Sequence, residues 1–385
     1  MAFQAITTKE LEMTAEPIGF LDFFRQLPDH RMNRRKVHRV EEILLVTFCG
    51  IITGCEGWDD IELYGKTKLD FLKKYLPFES GIASDDTLRR FFRALDPEKF
   101  ESCFINWVKS FQMNLESKVI AIDGKTSRGS FDGENRPLHL LNAFVSELGL
   151  SLGQLKVDSK SNEITAIPVL LEMLDLAGSI VTIDAMGCQS AITEKIIENK
   201  AEYVLALKGN QGALHEDVGM FFKRKLPKIK RHTYKENSIG HGRIETRKCI
   251  AVDDIDWLRI RHPHWCKLKS IIEIESTREI KGAVTTEKRY YISSLCADPK
   301  KILDVVRQHW GIENKLHWVL DVCFGDDQSR IRKGNAPRII AIIKKTALNL
   351  LQIIKATRPR MSLKRMIKLT GWDNNFLNEV LMASF

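Results

Sequence analysis

The sequence predicts an α/β protein whose core carries a β-rich insertion and follows an all-helical N-terminal domain. Three observations support this. Apolar residues recur at helical spacing over residues 1–115, short apolar runs alternate with helical segments over 118–208, and about 210–297 reads as strands. We therefore expect a helical N-terminal domain over 1–115 and a second domain over 116–385 that ends in basic helices.

The helices and strands follow from local patterns. Apolar spacing predicts helices over 18–27, 40–54, 58–64, 68–75, 165–176, 190–199, 299–323 and 337–356. Strands are predicted over 118–123, 138–147, 150–158, 179–184 and 202–208, and then over 248–255, 269–276 and 288–295 with no helix between them. Ser84 begins another helix, TLRRFFRAL, which fits either a groove-reading helix or a surface helix.

The composition excludes some classes of protein. The 385 residues carry 59 Lys and Arg against 50 Asp and Glu, a net charge of +9 that favours an anionic partner. The longest apolar run, 43–54, is too short to span a membrane and suits a buried helix. No secretion signal opens the chain and the eight cysteines form no C-x-x-C pair, so we expect a cytoplasmic protein with reduced thiols.

Three basic blocks contain no acid: 30–39, 223–231 and 328–372, of which the last holds twelve basic residues. Each block alone is most simply a solvated face. Together they indicate nucleic acid rather than membrane, because Lys and Arg that neutralise phosphates release counterions. The last block also has a core-like apolar pattern, so we expect a packed helix whose basic face follows the DNA backbone.

Two predicted strands end in an acid, Asp123 in VIAID and Asp184 in IVTID. Sites in open α/β sheets form beyond the carboxyl ends of strands, and Mg²⁺ prefers carboxylate oxygens together with substrate phosphates. The alternative is that each Asp caps the turn after it. Glu313 supplies a third acid, and on a helix it shares one face with His309 and His317, so a His-Glu-His transition-metal site is a competing interpretation.

Nucleotide and serine-hydrolase motifs are missing from the sequence. DGKT and YGKT resemble the end of a P-loop, but the required earlier glycine is replaced by Val119 and Asp60. There is no G-x-G-x-x-G and no G-x-S-x-G, so ATP, NAD and serine-hydrolase chemistry are not supported.

Longer motifs resemble one family. AIDGKTSRGS, KSNEITAIPVLL, TIDAMGCQ, YVLALKGNQ, GHGRIETR and HWGIENKLHWVLDVCF are similar to successive motifs of the H-repeat-associated proteins, which are bacterial insertion-sequence transposases of the Asp-Asp-Glu class. LPDHRMNRRKVHRVEEILL through SDDTLRRFFRAL resembles the family's associated N-terminal domain. The resemblance covers nearly the whole chain.

The resemblance implies a ribonuclease-H-like catalytic core with Asp123, Asp184 and Glu313 as its catalytic, metal-binding acids. They would hold two Mg²⁺ ions, for which Mn²⁺ could substitute, and the enzyme would cleave the element's ends and join them to target DNA. The wider superfamily often has Tyr, Arg and Lys where this chain has Val306, His309 and Leu320. Its phosphate contacts must then come from other groups, with His309, Lys315 and Arg332 as the candidates.

The resemblance also implies partners and DNA contacts. The partners are the terminal inverted repeats and target DNA, which a homo-oligomer would bind with contacts from the N-terminal domain over 1–115 and with no membrane partner. The protein would then be nucleoid-associated. Residues expected to contact DNA, with capping or surface solvation as the alternative, are Lys125, Lys160, Asn162, Gln189, Lys208, His241, Arg243, His309, Lys315 and Arg332. Three other functions stay open: a silent DNA-binding relic, a simple metal-dependent endonuclease, and a Glu-His metalloenzyme.

Overall fold

The computed structural model describes residues 19–31, 36–133, 136–157, 162–224, 229–240 and 242–384. These divide into two compact units. The described residues of 1–112, 126–138 and 317–385 form the helical unit, and those of 113–125 and 139–316 form the sheet unit. Each unit therefore joins segments that are distant in sequence. Among the described residues no helix has the length and apolar character needed to cross a membrane.

The described part of the chain is a mixed α/β fold with helices at its N-terminal end, as predicted. Its helices are α1 (Gly19–Phe24), α2 (Val40–Ile52), α3 (Trp58–Thr67), α4 (Leu69–Leu72), α5 (Asp85–Ala94), α6 (Pro97–Lys109), α7 (Glu163–Met173), α8 (Ser190–Glu198), α9 (Gly212–Lys223), α10 (Asp256–Arg261), α11 (Pro299–His309), α12 (Trp318–Phe324), α13 (Ala336–Thr357), α14 (Leu363–Trp372) and α15 (Asn374–Leu381). Its strands are β1 (Val119–Ser127), β2 (Leu138–Val145), β3 (Leu150–Lys156), β4 (Ile180–Ile183), β5 (Glu202–Leu207), β6 (His232–Gly240), β7 (Arg243–Val252), β8 (Ser270–Ile280) and β9 (Ala283–Ser293).

The helical unit is built around two buried helices. Every residue of α2 except Glu41 is buried, which confirms that the long apolar run forms a buried helix. Helix α13 packs against α2, α5 and α6. The predicted start at Ser84 is also confirmed, because its side-chain oxygen accepts a hydrogen bond from the Thr87 N–H at 3.3 Å.

The prediction of a basic face along α13 that follows DNA is wrong for three of its residues. Arg338, Lys344 and Lys345 are buried within the helical unit. Arg338 binds the carboxylate of Glu101, and Lys344 binds that of Asp326 at 3.0 Å. Arg338 and Lys344 therefore satisfy buried acids, and burial keeps all three side chains away from DNA phosphates.

The sheet unit contains one nine-stranded sheet in the order β3-β2-β1-β4-β5-β9-β8-β7-β6. Strands β1, β4 and β5 are parallel to one another. The pairs β2–β3, β5–β9, β9–β8, β8–β7 and β7–β6 are antiparallel. Helix α11 buries Ile302, Leu303 and Val305 in a cluster with residues of β1, β4, β5 and β7–β9. The strands of the β-rich stretch therefore extend the core sheet.

Two details of this region differ from the prediction. Helix α10 lies between β7 and β8, and helix α9 also falls in the stretch, where no helix was expected. Strand β6 was missed because its residues alternate between half-buried and exposed and give a weak apolar pattern. The predicted continuous helix over 299–323 is interrupted: α11 ends at His309, and a π-helical segment spans Ile312–His317.

Candidate active site

Asp123 and Asp184 lie side by side at the carboxyl ends of the paired segments of two parallel strands. The β1–β4 register pairs Ile122 with Ile183, and each aspartate is the next residue along. The Asp184 carboxylate also accepts hydrogen bonds from the N–H groups of Met186 at 3.0 Å and Gly187 at 3.3 Å. Asp184 therefore caps the turn after β4 and also lies at the carboxyl end of that strand, so both interpretations are correct for this residue.

Glu313 lies in the π-helical segment, which is fastened to the end of β2. The Lys315 ammonium donates a hydrogen bond to the Ser146 carbonyl at 2.8 Å. Gly311 approaches the same serine so closely that an added Cβ would lie 3.0 Å from its hydroxyl oxygen. The π turn breaks the four-residue repeat that the His-Glu-His metal site requires, and π segments of this kind are frequent at functional sites.

One cavity of about 260 Å³ brings the three acids together. Its lining includes Asp123, Asp184 and Glu313. Burial raises the pKa of Asp123 to about 7, and the negative charges of Glu163, Asp184 and Glu313 add to the increase. Crowded carboxylates of this kind are relieved by a bound hard cation, so the donor set fits a divalent metal with oxygen ligands.

The raised pKa of Asp123 should make the stability of the metal-free protein depend on pH. The folded pKa of about 7 exceeds the unfolded value of about 3.9, so the folded state binds the extra proton and unfolding free energy falls as pH rises between these values. In EDTA, the unfolding free energy of Asp123→Asn should no longer decrease across this pH range. Thermal unfolding at pH values on either side of the window tests it, with the exposed Asp254→Asn as control; parallel wild-type and Asp123→Asn profiles would contradict it.

A fourth carboxylate, Glu163, was missed in the sequence. It begins α7 and binds the His139 ring at 2.7 Å, and its charge is among the causes that raise the pKa of Asp123. A glutamate in the first turn of a helix is usual because of the helix dipole, so nothing in the sequence indicated this proximity. Gly124 leaves room for the pair, since an added Cβ there would lie 2.2 Å from Glu163 and 2.7 Å from His139.

Gly124→Ala is therefore expected to displace the Glu163–His139 pair. The overlap should lower the free energy of unfolding by about 1–3 kcal/mol, as overpacking generally does. Gly212→Ala is the matched control, because nothing lies within 4 Å of its added Cβ. Urea unfolding of both variants is the measurement, and equal stabilities would show that the pair moves aside without cost.

Two of the residues expected to contact DNA lie at the cavity. Lys208 is exposed on its lining. His309 also lines it, and its Nδ1 lies 3.0 Å from the Thr182 hydroxyl. Burial lowers the pKa of His309, although Asp184 opposes this, so the neutral imidazole is favoured and can serve a phosphate only as a hydrogen-bonding group.

The other expected contacts lie elsewhere or make structural bonds. Asn162 caps α7, Gln189 accepts a hydrogen bond from Gln211 at 3.0 Å, and the Arg332 guanidinium donates to the Gly129 carbonyl at 2.8 Å. Lys125 is half-buried and Arg243 pairs with Glu245 at 3.1 Å. Lys160 and His241 lie outside the described residues. Their DNA contacts stay predictions.

A second acidic cluster lies in the helical unit. Carboxylate oxygens of Asp321, Asp326 and Asp327 come within 4.8 Å of one another. Asp326 is buried and binds Lys344 at 3.0 Å and the Ser127 hydroxyl at 3.0 Å, and Asp327 accepts a hydrogen bond from the Arg128 N–H at 3.2 Å. These bonds give the cluster a structural role, so it is a useful control for the acids of the cavity.

Comparison with known proteins gives the family. Residues 114–350 match the family described as "Transposase DDE domain", and residues 21–108 match one described as "DDE_Tnp_1-associated". A protein named "H repeat-associated putative transposase YhhI", from Escherichia coli K12, is 42% identical over 93% of this chain and 96% of its own length. The chain belongs to the H-repeat-associated insertion-sequence transposases.

A second relative agrees with that membership. The protein "Putative transposase YncI" of Escherichia coli O157:H7 is 42% identical over 95% of both chains. A solved piggyBac transposase, from a synaptic complex with hairpin DNA, aligns with 98% of this chain and 80% of its own at 11% identity. The TM-score of this alignment is 0.42. Members of the DDE family use divalent metal, which the acids of the cavity fit.

Proposed function

We propose that this chain is an active DNA transposase that cleaves the ends of its insertion sequence and joins them to target DNA. The observation that carries the proposal is the meeting of Asp123, Asp184 and Glu313 in one cavity, in a chain of the DDE transposase family. The proposed substrates are the terminal inverted repeats and target DNA. A homo-oligomer would bind them in the cytoplasm, at the nucleoid.

The proposed catalytic domain, residues 116–385, has a ribonuclease-H-like core. The strand order β3-β2-β1-β4-β5, with an antiparallel hairpin beside three parallel strands, supports this. The β-rich insertion then corresponds to about 210–297, and the proposed N-terminal DNA-contacting domain to 1–115. Family matches over 21–108 and 114–350 are consistent with a boundary between them.

The proposed cofactor is a pair of Mg²⁺ ions, for which Mn²⁺ can substitute, held by Asp123, Asp184 and Glu313. Bound there, such ions would supply charge stabilisation and lower the pKa of a water molecule. The protein contributes rigidity: two backbone N–H groups fix Asp184, and the Lys315–Ser146 bond fixes the segment that carries Glu313. Pre-positioned groups accelerate phosphoryl transfer because no reorganisation is needed during the reaction.

The proposed reaction has two transfers at one site. In the first, a water oxygen bonds to phosphorus while the bond to the 3′-oxygen breaks, and that oxygen leaves as a 3′-OH. In the second, the 3′-OH attacks a target phosphodiester and a target 3′-oxygen leaves. Lys208 and Arg289 line the cavity and are positioned to attract the phosphodiester, while neutral His309 can donate or accept one hydrogen bond.

The test is nicking and joining of labelled DNA that carries the element's flanking ends, in Mg²⁺, in Mn²⁺ and in EDTA. We expect metal-dependent cleavage at the ends followed by joined products. Binding without cleavage in any metal would indicate a DNA-binding relic, and cleavage without joining would indicate a simple endonuclease. Activity supported only by Zn²⁺ on substrates other than DNA would favour the Glu-His metalloenzyme.

A further inference from the structure

A second cavity lies beside the candidate active site, in the sheet unit. It measures about 680 Å³ and lies between strands β7–β9 and helix α11. Arg289, Tyr291, Val306 and Trp310 line both this cavity and the one that holds the acids. The two cavities therefore adjoin, and a polymeric substrate that reaches the acids lies close to the larger one.

The sequence places three charged residues of β7 on one face of the sheet. Arg243, Glu245 and Arg247 alternate along the strand, and side chains two apart in a strand point the same way. The register sets Arg278 of β8 directly opposite Glu245. The sequence allowed two interpretations of the RIETR stretch, a DNA contact or a structural turn. In the structure it forms one wall of the cavity.

The carboxylate of Glu245 gathers these arginines. Its exposed fraction is 7%, and it pairs with Arg243 at 3.1 Å, with Arg278 at 3.0 Å and with Arg247. Burial alone would raise the pKa of Glu245, but the three guanidinium groups hold it below its usual range. One buried anion therefore fixes three cations in advance of any ligand.

The cavity keeps a surplus of positive charge. Arg307 pairs with Glu236 at 2.6 Å, and Arg289 pairs with Glu287 at 2.8 Å. Glu236 also lies 3.7 Å from Arg247. Five lining arginines thus meet three glutamates, which leaves an excess of positive charge among the arginines around Glu245 and Glu236. Guanidinium groups with spare donors in a fixed arrangement match phosphate oxygens better than ammonium groups do.

We propose that Arg243, Arg247 and Arg278, held together by Glu245, form a preformed site for a backbone phosphate of the DNA strand that enters the active site. The ligand is a phosphodiester of DNA, and the contact is independent of base sequence. The inference rests on the proposed function, because the occupant is the transposase's own substrate. It adds an anchor that positions DNA away from the reacting phosphate.

The test removes two of these arginine charges and compares the result with removal of two lysine charges on the opposite face of the sheet. Arg243→Gln/Arg278→Gln changes the proposed site, whereas Lys235→Gln/Lys248→Gln removes two exposed charges that face each other across β6 and β7. Full-length proteins are titrated with a labelled duplex of the element's end over a range of KCl concentrations. Cleavage is followed as a function of DNA concentration, inorganic pyrophosphate serves as competitor, and thermal unfolding checks the fold.

We expect the arginine pair to weaken duplex binding about tenfold or more. The slope of log affinity against log salt should become shallower by about two. The DNA concentration for half-maximal cleavage should rise while the rate at saturation changes little, and the lysine pair should behave like wild type. Glu245→Gln, which keeps the arginines, should bind with a steeper salt dependence.

Four outcomes would overturn the inference. Equal losses in both pairs would reduce it to general surface charge. Unchanged binding in the arginine pair, in a protein that still cleaves, would remove the phosphate site and leave the transposase proposal intact. Failure of wild type to bind DNA at all would remove both. If the arginine pair lost pyrophosphate binding but still bound the duplex like wild type, the site would be assigned to free phosphate compounds instead.

Discussion

Asp184→Asn and Glu313→Gln are each expected to slow cleavage of the element's ends by about a thousandfold or more, while DNA binding persists. Each change removes one carboxylate charge from the three that share the cavity. A metal ion is worth several kcal/mol of transition-state stabilisation, and every 1.4 kcal/mol corresponds to about a tenfold change in rate. Single-turnover cleavage measured beside duplex binding separates the two effects.

These substitutions are chosen to leave the local structure in place. An asparagine oxygen at 184 can still accept the hydrogen bonds from Met186 and Gly187, so the turn is retained and only the charge is lost. Glu313 is exposed, so the amide causes little change in packing. A loss of activity in both variants can therefore be attributed to the carboxylates.

The matched control is Asp327→Asn in the second acidic cluster. It also removes one charge from a group of three acids, but those acids bind protein groups in the helical unit. Near-wild-type cleavage is expected. If Asp327→Asn abolished cleavage while Asp184→Asn did not, the assignment of the catalytic acids would be wrong.

The parts of the site that could be predicted depend on short-range patterns. VIAID and IVTID are buried runs that end in an acid, and parallel pairing of β1 with β4 sets their ends side by side. Asp123 and Asp184 could therefore be placed together from two short segments. Ser84 was similarly readable, because a capping serine acts within three residues of itself.

Features that depend on distant segments could not be read in this way. The antiparallel pairing of β9 with β5 makes the β-rich stretch part of the core sheet, and nothing local specifies it. The approach of Glu163 to Asp123 likewise depends on where α7 begins relative to β1. The π turn at Glu313 keeps a helical pattern in sequence while changing which residues share a face.

The sequence did not indicate that basic residues of α13 are buried and paired with acids. Arg338 provides the clearest test of that burial. Arg338→Met is expected to lower the free energy of unfolding by about 3–5 kcal/mol. The guanidinium binds both oxygens of Glu101, at 2.8 and 2.5 Å, and the exposed fraction of Glu101 is 1%. Removal of the arginine leaves that carboxylate buried without its cation. Urea unfolding at constant ionic strength is the measurement.

Glu98→Gln is the control, because the same guanidinium binds Glu98 at 2.5 Å but the Glu98 side chain is 70% exposed. An exposed ion pair contributes about 1 kcal/mol or less, so this change should be mild. The double variant Arg338→Met/Glu101→Met should recover much of the stability, since neither charge is then left unpaired. Weakened DNA binding in a fully stable Arg338→Met protein would instead return α13 to the DNA-tracking role that its basic sequence suggests.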